Sequence, residues 1–234
     1  MKRTYEINEL AKEESWRMFR IMGEFVDGFD ALSRVQPAVT IYGSARIKPH
    51  HPLYAQAQEI GRGLAKAGFS VFTGGGPGVM AAANQGAREV GGNSIGLSIK
   101  LNSLEEAPNP FTTLTLSFRY FFVRKVMLVR YATAFVLMPG GLGTMDEFFE
   151  TLTLIQTGKI KPFPVILFGS EYWKGLLGWM HEAIIGKGFL TQGGLKRLYI
   201  TDDPTEAVSL AERLCRGGRR RAPLAKRLAE EAQL

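Results

Sequence analysis

The residues best suited to chemistry lie in one short segment, residues 139–147, which reads PGGLGTMDE. Its glycines, Gly140, Gly141 and Gly143, leave backbone N–H groups open to a ligand, and the hydroxyl of Thr144 adds one more polar contact. A helix that begins at this point would direct the positive end of its dipole toward the same place. The segment therefore predicts a cradle for a phosphate group that requires no cation in the loop.

Two carboxylates lie at the end of this segment, within the first turns of the predicted helix. Glu147 falls where its carboxylate would lie near a sugar attached to the bound phosphate. Asp146 is explained more simply by the favourable interaction of a negative charge with the start of a helix. The same explanation remains an alternative for Glu147.

Small residues also fill two other predicted strand-to-helix turns. Gly43 and Ser44 suit either a bound ligand or close packing of a strand against a helix. Residues 74–78 read GGGPG, and we expect a ligand to dock at Gly75 and Gly76, because so many glycines lower stability unless close approach or a positive φ requires them. The spacing matches neither the dinucleotide fingerprint G-x-G-x-x-G nor the triphosphate loop G-x-x-x-x-G-K-S/T.

Two adjacent cations, Arg124 and Lys125, lie in the middle of a mostly apolar stretch, residues 120–131, which reads YFFVRKVMLVRY. The pattern predicts a helix that is buried nearly all round. Because a buried guanidinium needs a counter-charge, Arg124 is expected to meet either a ligand phosphate or a carboxylate in a structural ion pair. No acidic partner for Lys125 can be assigned from the sequence, so Lys125 either assists substrate binding or faces solvent.

These turns lie between elements that alternate along the chain. Short apolar runs predict strands at 38–42, 69–73, 94–99, 113–118, 134–138 and 164–168, and helical patterns predict helices at 53–67, 78–90, 119–131, 144–156, 171–186 and 204–214. Apolar runs without polar alternation are typical of strands covered on both faces. We therefore predict a doubly wound, Rossmann-like α/β fold whose ligand binds beyond the carboxyl ends of its parallel strands.

The predicted domain covers residues 38–215, between an N-terminal helical extension at 1–37 and a basic tail at 216–234. A helix over residues 9–34 would carry one apolar stripe, which suits either the domain or a second subunit: Met18, Met22, Phe25, Phe29 and Leu32. The formal net charge of +7 is concentrated in the tail. Because no aromatic residues are interleaved there, a solvated extension is favoured over a nucleic-acid-binding arm.

Composition excludes several classes of protein. The chain has no long apolar run free of charges and no apolar segment typical of a signal peptide, so we expect a cytoplasmic protein without a membrane span. The single cysteine, Cys215, cannot form an internal disulfide. The three histidines, His50, His51 and His181, show no ligand spacing with acidic residues, and we expect no metal.

Four of these segments together resemble one known family. They are GSAR at 43–46, TGGGPGVMAAAN at 73–84, RK at 124–125 and the hallmark PGGxGTxxE at 139–147. They resemble the Lonely Guy (LOG) family, whose members were long labelled possible lysine decarboxylases. The likeness extends over roughly residues 39–214.

The resemblance implies a nucleoside 5′-monophosphate phosphoribohydrolase, acting on AMP or a cytokinin riboside monophosphate without a cofactor. It implies a homodimer or larger homo-oligomer with its sites close to the subunit contact. It also implies that Arg124 and Glu147 form the catalytic pair, and that the phosphate is held by Gly140, Gly141, Gly143 and Thr144.

Cleavage of a C1′–N bond builds positive charge on the ribose, which the Glu147 carboxylate can stabilise while it orients or deprotonates water. Arginine is too weak an acid to donate a proton readily, so Arg124 is expected to offset negative charge on the phosphate or departing base.

Two other functions are compatible with the same residues. A non-catalytic carrier of a nucleotide or of a phosphorylated cofactor, such as the molybdenum cofactor, would need only the cradle. A pyridoxal-phosphate decarboxylase would need a Schiff-base lysine and a partner for the pyridinium nitrogen, and neither is evident around Lys125.

Overall fold

The computed structural model describes residues 14–35, 37–100 and 108–215. Seven strands are present in these ranges: β1 (Ala38–Tyr42), β2 (Ser70–Thr73), β3 (Ser94–Ile99), β4 (Leu114–Phe118), β5 (Ala132–Leu137), β6 (Val165–Phe168) and β7 (Leu198–Thr201). The helices are α1 (Glu14–Leu32), α2 (Pro52–Lys66), α3 (Val79–Glu89), α4 (Phe121–Arg130), α5 (Leu142–Gln156), α6 (Ser170–Trp179) and α7 (Pro204–Cys215). The predicted basic tail lies outside the described residues.

The strands form one sheet in the order β4-β3-β2-β1-β5-β6-β7, and every adjacent pair is parallel. The chain therefore moves outward in one direction from β1 to β4 and then returns to the other side of β1 with β5. The point where this order reverses lies between β1 and β5, and open parallel sheets bind ligands at such a point. The predicted doubly wound α/β fold is confirmed.

The core lies on both faces of this sheet. One apolar cluster joins Phe135 and Leu137 to α4, α5 and α6, while the alternate residues Ala134 and Val136 join α2, α3 and α7 on the opposite face. This arrangement follows from the strand geometry, because successive side chains point to opposite faces. The absence of polar alternation in β5 is thus explained by two covered faces.

Local signals set the starts of the helices that follow the strands. The Nδ1 of His51 accepts a 3.1 Å hydrogen bond from the backbone N–H of Leu53, and Pro52 begins α2 with a fixed φ. Gly78 precedes α3 at φ +69°, a conformation that favours glycine. These caps fix where each helix leaves the carboxyl edge of the sheet.

Two elements differ from the sequence-based prediction. β7 was not predicted, and it adds a seventh strand beside β6, with Val165 aligned to Leu198. The predicted helix at 171–186 is divided: α6 ends at Trp179, and a π-helical segment, Met180–Ile185, continues it. Residues 9–13 of the predicted helix at 9–34 lie outside the described residues, and the other observed bounds lie within a few residues of those predicted.

The N-terminal helix α1 packs against α4. The Glu24 carboxylate accepts hydrogen bonds from the backbone N–H groups of Arg119 and Tyr120, at 2.8 and 3.2 Å, and so anchors the two residues directly before α4. The guanidinium of Arg130 lies 5.1 Å from the centre of the Phe29 ring. These contacts tie α1 to the helix that carries Arg124.

The apolar stripe of α1 divides between two environments. Leu32 is fully buried and Phe25 packs against the core, whereas Met18 and Met22 are exposed. The C-terminal part of the stripe therefore lies on the domain. Within the described ranges, no helix is both long enough and apolar enough to cross a membrane.

Candidate active site

A cavity of about 550 Å³ opens at the point where the strand order reverses. It is lined by the turn after β1, by Gly74 after β2, by α4 and by the first residues of α5. Its volume lies in the range of small-molecule binding sites. The three turns singled out in the sequence thus meet at one edge of the sheet.

Ser44 joins these turns through its backbone. Its N–H donates to the carbonyl oxygen of Pro139 at 3.1 Å, and its carbonyl oxygen accepts from the N–H of Val79 at 3.0 Å. Gly43 packs so closely that an added Cβ would lie 2.6 Å from a methyl carbon of Val79. Close packing therefore accounts for the glycine at 43, although Gly43 and Ser44 also line the cavity.

The second turn is held by its backbone conformation and by hydrogen bonds from Asn109. Gly75 adopts φ +73°, and the Asn109 N–H donates to its carbonyl oxygen at 2.8 Å. The Asn109 side-chain amide donates to the carbonyl oxygen of Gly76 at 3.1 Å. Among the described residues, Gly74 lines the cavity, and Gly75 and Gly76 are not part of its wall. Substrate binding by Gly75 and Gly76 stays a prediction.

The third turn presents the open start of α5 to the cavity. No side chain of the described residues caps this helix, and the N–H groups of its first two residues, Leu142 and Gly143, have no acceptor within the helix. A Cβ added at Gly141 or Gly143 would meet nothing within 4 Å, and Gly141 has an ordinary φ of −95°. Packing within the chain therefore does not explain these two glycines, and their contact with a ligand stays a prediction.

Gly140 differs from its two neighbours. A Cβ there would collide with the Thr144 hydroxyl oxygen and would lie 3.0 Å from the Ser44 nitrogen. Its carbonyl oxygen accepts a 2.6 Å hydrogen bond from the Tyr172 hydroxyl. Gly140 thus shapes the turn, while Gly141, Gly143 and the buried Thr144 line the cavity. Contact of Gly140 with substrate stays a prediction.

Arg124 is oriented by carbonyl groups at the carboxyl edge of the sheet. Its Nε donates to the carbonyl oxygen of Leu97 at 2.6 Å, and its Nη2 donates to that of Gly74 at 3.4 Å. The guanidinium carbon also lies 5.6 Å from the centre of the Phe121 ring. The side chain is therefore fixed in the wall of the cavity.

Glu147 lies in the same wall and is only 6% exposed. Burial raises the pKa of Glu147 to about 7, against the positive charges of Lys125 and Arg124, which lower it. The negative charge of Glu150 adds to the increase. Arg124 and Glu147 thus line one cavity and interact electrostatically, and their role as a catalytic pair stays a prediction.

Lys125 points away from this cavity, toward α5. Its Nζ lies 2.8 Å from Asp146 Oδ2 and 2.9 Å from Glu150 Oε2. Burial would lower the pKa of Lys125, but the hydrogen bonds that its ammonium donates to these carboxylates outweigh this effect and raise that pKa. No acidic partner of Lys125 could be assigned from the sequence, and the structure supplies two. The alternative that Lys125 only faces solvent is wrong, because its side chain is 14% exposed, and Asp146 has a role beyond the helix dipole. Substrate binding by Lys125 stays a prediction.

The predicted burial of α4 on nearly all sides is also wrong for the chain taken alone. Val123, Met127 and Leu128 are buried, but Phe122 and Val126 are nearly half exposed. The helix therefore has one face in the core and an apolar face left open.

Tyr42 is a site residue that the motifs did not indicate. From the sequence it is only the last residue of a predicted strand, yet its buried side chain lines the cavity beside Glu147. A hydroxyl at the end of an apolar strand, directly before Gly43, was the available signal. Within the ranges described, no three potential ligands among His, Cys, Asp and Glu come together as a metal site.

Comparison with known proteins gives a consistent set of relatives. A family model described as possible lysine decarboxylase matches residues 80–211. The cytokinin riboside 5′-monophosphate phosphoribohydrolase of Rhodococcoides fascians is 28% identical over 191 residues, covering 75% of this chain and 96% of that protein. The protein of the same name from Mycobacterium tuberculosis is 26% identical over 171 residues, covering 73% of this chain and 90% of its own length.

Solved structures agree on the architecture. The X-ray structure of a structural genomics target, TM1055, has a TM-score of 0.60 and 29% identity, covering 76% of this chain and 99% of that chain. The molybdenum cofactor carrier protein of Chlamydomonas reinhardtii has a TM-score of 0.55 and 21% identity, covering 76% of this chain and 97% of that chain. At 21% identity, this second likeness shows the fold alone.

Proposed function

The chain belongs to the possible lysine decarboxylase family, also called the LOG family, and on that premise we propose that it is a nucleoside 5′-monophosphate phosphoribohydrolase. The reaction would hydrolyse the N-glycosidic bond to give the free base and ribose 5-phosphate. The names of the bacterial relatives support this activity.

One observation carries the proposal: an uncapped helix start and a buried carboxylate face the same cavity. The N–H groups at the start of α5 suit a phosphate. Glu147 lies one helical turn beyond Thr144, about 5 Å along the helix axis. A ribose bound between phosphate and carboxylate would place its anomeric carbon near Glu147.

The reaction then follows from the charges. The C1′–N bond breaks with its electron pair moving to the base, and water attacks C1′. The hydroxyl of that water stays on C1′ of ribose 5-phosphate, and its proton ends on the base. The Glu147 carboxylate stabilises the positive charge that develops on the ribose and accepts the proton of the water. Arg124 offsets negative charge on the phosphate or departing base without having to donate a proton.

The apolar part of the cavity lining suits a flat base. Its walls include apolar side chains from three elements: Met80, Ile99, Phe121 and Leu128. Such a surface would accept adenine or an N6-substituted adenine, consistent with AMP or a cytokinin riboside monophosphate as substrate.

A second copy of the chain is the proposed partner. Exposed apolar side chains cluster on the outer faces of α1 and α4, among them Trp16, Phe19, Met22, Phe122 and Val126. Large exposed apolar side chains on two packed helices are typical of an association surface. We expect a homodimer or larger assembly in light scattering, and we expect Val126→Glu to shift it toward the monomer. A wild-type protein that is monomeric at micromolar concentration would refute this partner.

Adenine release from AMP tests the activity. Purified protein is incubated with AMP, and adenine and ribose 5-phosphate are quantified by chromatography, with adenosine as the matched substrate that lacks the phosphate. We expect equal amounts of both products from AMP and at least about 100-fold slower cleavage of adenosine, because it cannot use the cradle. A screen of other nucleoside monophosphates then ranks the bases.

A non-catalytic carrier remains the alternative. It would bind AMP, or another phosphorylated ligand, with no product formed under any condition of the screen. The buried Glu147 carboxylate argues against it, because a negative charge near the cradle weakens the binding of an anion that is never cleaved.

A pyridoxal-phosphate enzyme is disfavoured by Lys125. An amine held between two carboxylates stays protonated and is a poor nucleophile for a Schiff base.

A further inference from the structure

We propose that Tyr42 is a positioning residue for Glu147, whose carboxylate it fixes and keeps ionised by donating a hydrogen bond from its buried hydroxyl. The inference rests on the proposed hydrolysis and adds a residue that lies far outside segment 139–147. It assigns to the end of β1 a part in the chemistry of α5.

The position of Tyr42 is tightly constrained. It is the last residue of β1, and its side chain is 6% exposed. Its ring lies parallel to that of Phe135 on β5, with 6.3 Å between ring centres and 9° between ring planes. A ring held in this way directs its hydroxyl to one place, and that place is the cavity wall that Glu147 also forms.

The polar atoms of the two residues are complementary. Within the described part of the chain, Tyr42 Oη and Glu147 Oε2 are both covered and neither has a hydrogen-bond partner of good geometry. Buried polar atoms without partners are rare, because each one loses its hydrogen bonds to water. A phenol donor and a carboxylate acceptor in the same wall satisfy each other after a small adjustment.

The surrounding charges keep Tyr42 a donor. Burial, followed by the negative charges of Glu147 and Glu150, raises the pKa of Tyr42 well above its ordinary value, and Arg124 opposes this only in part. The phenol therefore stays protonated across the range in which Glu147 titrates.

Glu147 is faced by charged groups from two helices. Arg124 and Lys125 on α4 lower its pKa, while Asp146 and Glu150 on its own helix raise it. Tyr42 adds a neutral donor from the sheet. A hydrogen bond to the ionised form lowers the pH at which the carboxylate becomes available as a base.

The pH profile of the Tyr42→Phe variant tests the proposal. In the wild type, kcat/KM for AMP is expected to rise as the pH increases through about 7 and then level off, because the ionised Glu147 is the active form. Tyr42→Phe should move this rise upward by about one pH unit, while KM for AMP at high pH changes little. A rise at the wild-type pH would overturn the proposal.

Tyr131→Phe is the matched control. Tyr131 belongs to the same apolar cluster as Tyr42. Its hydroxyl donates to the carbonyl oxygen of Phe29 at 3.3 Å, away from the cavity. It should lower stability without moving the pH profile. An equal shift in both variants would mean that loss of any buried hydroxyl has this effect, and would also overturn the proposal.

Two further measurements separate this proposal from the proposed function and from misfolding. Replacement of Tyr42 by 3-fluorotyrosine keeps the shape and makes the hydroxyl more acidic, so the carboxyl pKa should move downward. A carbon-13 NMR titration, with the Glu147 signal identified by its loss in Glu147→Gln, reads that pKa without any substrate. Absence of adenine release by the wild type would refute the hydrolysis alone. A Glu147 titration in Tyr42→Phe that matches that of the wild type would refute the role of Tyr42 alone.

Discussion

The Nε of Arg124 donates a 2.6 Å hydrogen bond to the carbonyl oxygen of Leu97, and so joins the central helix of the site to the carboxyl edge of the sheet. The Nη2 of the same guanidinium reaches the carbonyl oxygen of Gly74. A planar group with donors on several nitrogens can bond at once to a carbonyl of β3 and to one in the turn after β2, which a lysine ammonium cannot do in the same geometry. The cation is therefore held in place before a ligand arrives.

Arg124→Lys should lower kcat/KM for AMP by at least about 100-fold, because the charge is kept but its direction is lost. Steady-state kinetics on the two proteins measure the effect. Arg130→Lys, on the same helix but stacked on Phe29, is the control and should stay within about twofold of the wild type. Comparable activity of Arg124→Lys would show that only the charge of residue 124 matters.

Gly140 and Gly143 should respond in opposite ways to alanine. Gly140→Ala places a Cβ against the Thr144 hydroxyl and should lower the free energy of unfolding by about 1–3 kcal/mol. Gly143→Ala meets no atom within 4 Å and should raise helix stability by up to about 1 kcal/mol, yet weaken binding of ribose 5-phosphate. Urea unfolding and calorimetry measure the two effects. Unchanged ribose 5-phosphate affinity in Gly143→Ala would remove the helix start from the binding site.

The stability of the fold should depend on pH through Glu147. Its pKa is about 7 in the folded protein against 4.5 for an ordinary glutamate, so the folded state retains a proton that the unfolded state has lost. This contribution to stability is present below about pH 4.5 and is lost as the pH rises through about 7. As the pH rises from about 5 to about 8, the free energy of unfolding of Glu147→Gln should therefore increase by on the order of 2 kcal/mol relative to that of the wild type. Urea unfolding at several pH values measures this difference. The same pH dependence of the free energy of unfolding in both proteins would contradict a buried, titrating carboxyl at residue 147.

Lys125→Gln distinguishes an electrostatic role from substrate contact. The positive charge of Lys125 lowers the pKa of Glu147, so its loss should move the rise of kcat/KM to higher pH. KM for AMP at high pH should change by less than about threefold, because the ammonium is bonded to Asp146 and Glu150. A large increase in KM with no shift of the profile would instead support the predicted contact with substrate.

The sequence was informative where function depends on local backbone chemistry. The glycines and threonine of segment 139–147 predicted a helix start suited to an anion, and the apolar runs predicted a parallel sheet. Parallel strands bring their carboxyl ends to one edge, so the meeting of the three turns around Ser44 was also predictable.

Contacts between distant segments were not predictable in the same way. Helical spacing identifies the neighbours of Lys125 on its own helix, whereas its partners Asp146 and Glu150 lie on the next one. The strand at 198–201 is only four residues long and gains its structure by pairing with β6.

Burial patterns have a related limit. The all-round apolar pattern of α4 cannot distinguish a core face from a face such as Phe122 and Val126, which the chain leaves open. Tyr42 was missed for a similar reason, because a strand pattern does not say which buried hydroxyl meets a carboxylate.

Turnover and binding of AMP by Glu147→Gln test the central claim most directly. The variant keeps the size of the side chain and removes its negative charge and its ability to act as a base. We expect kcat for adenine release to fall at least about 1000-fold, while the dissociation constant for AMP, measured by calorimetry, stays within about tenfold of the wild type. Release of adenine at the wild-type rate by Glu147→Gln would contradict the account.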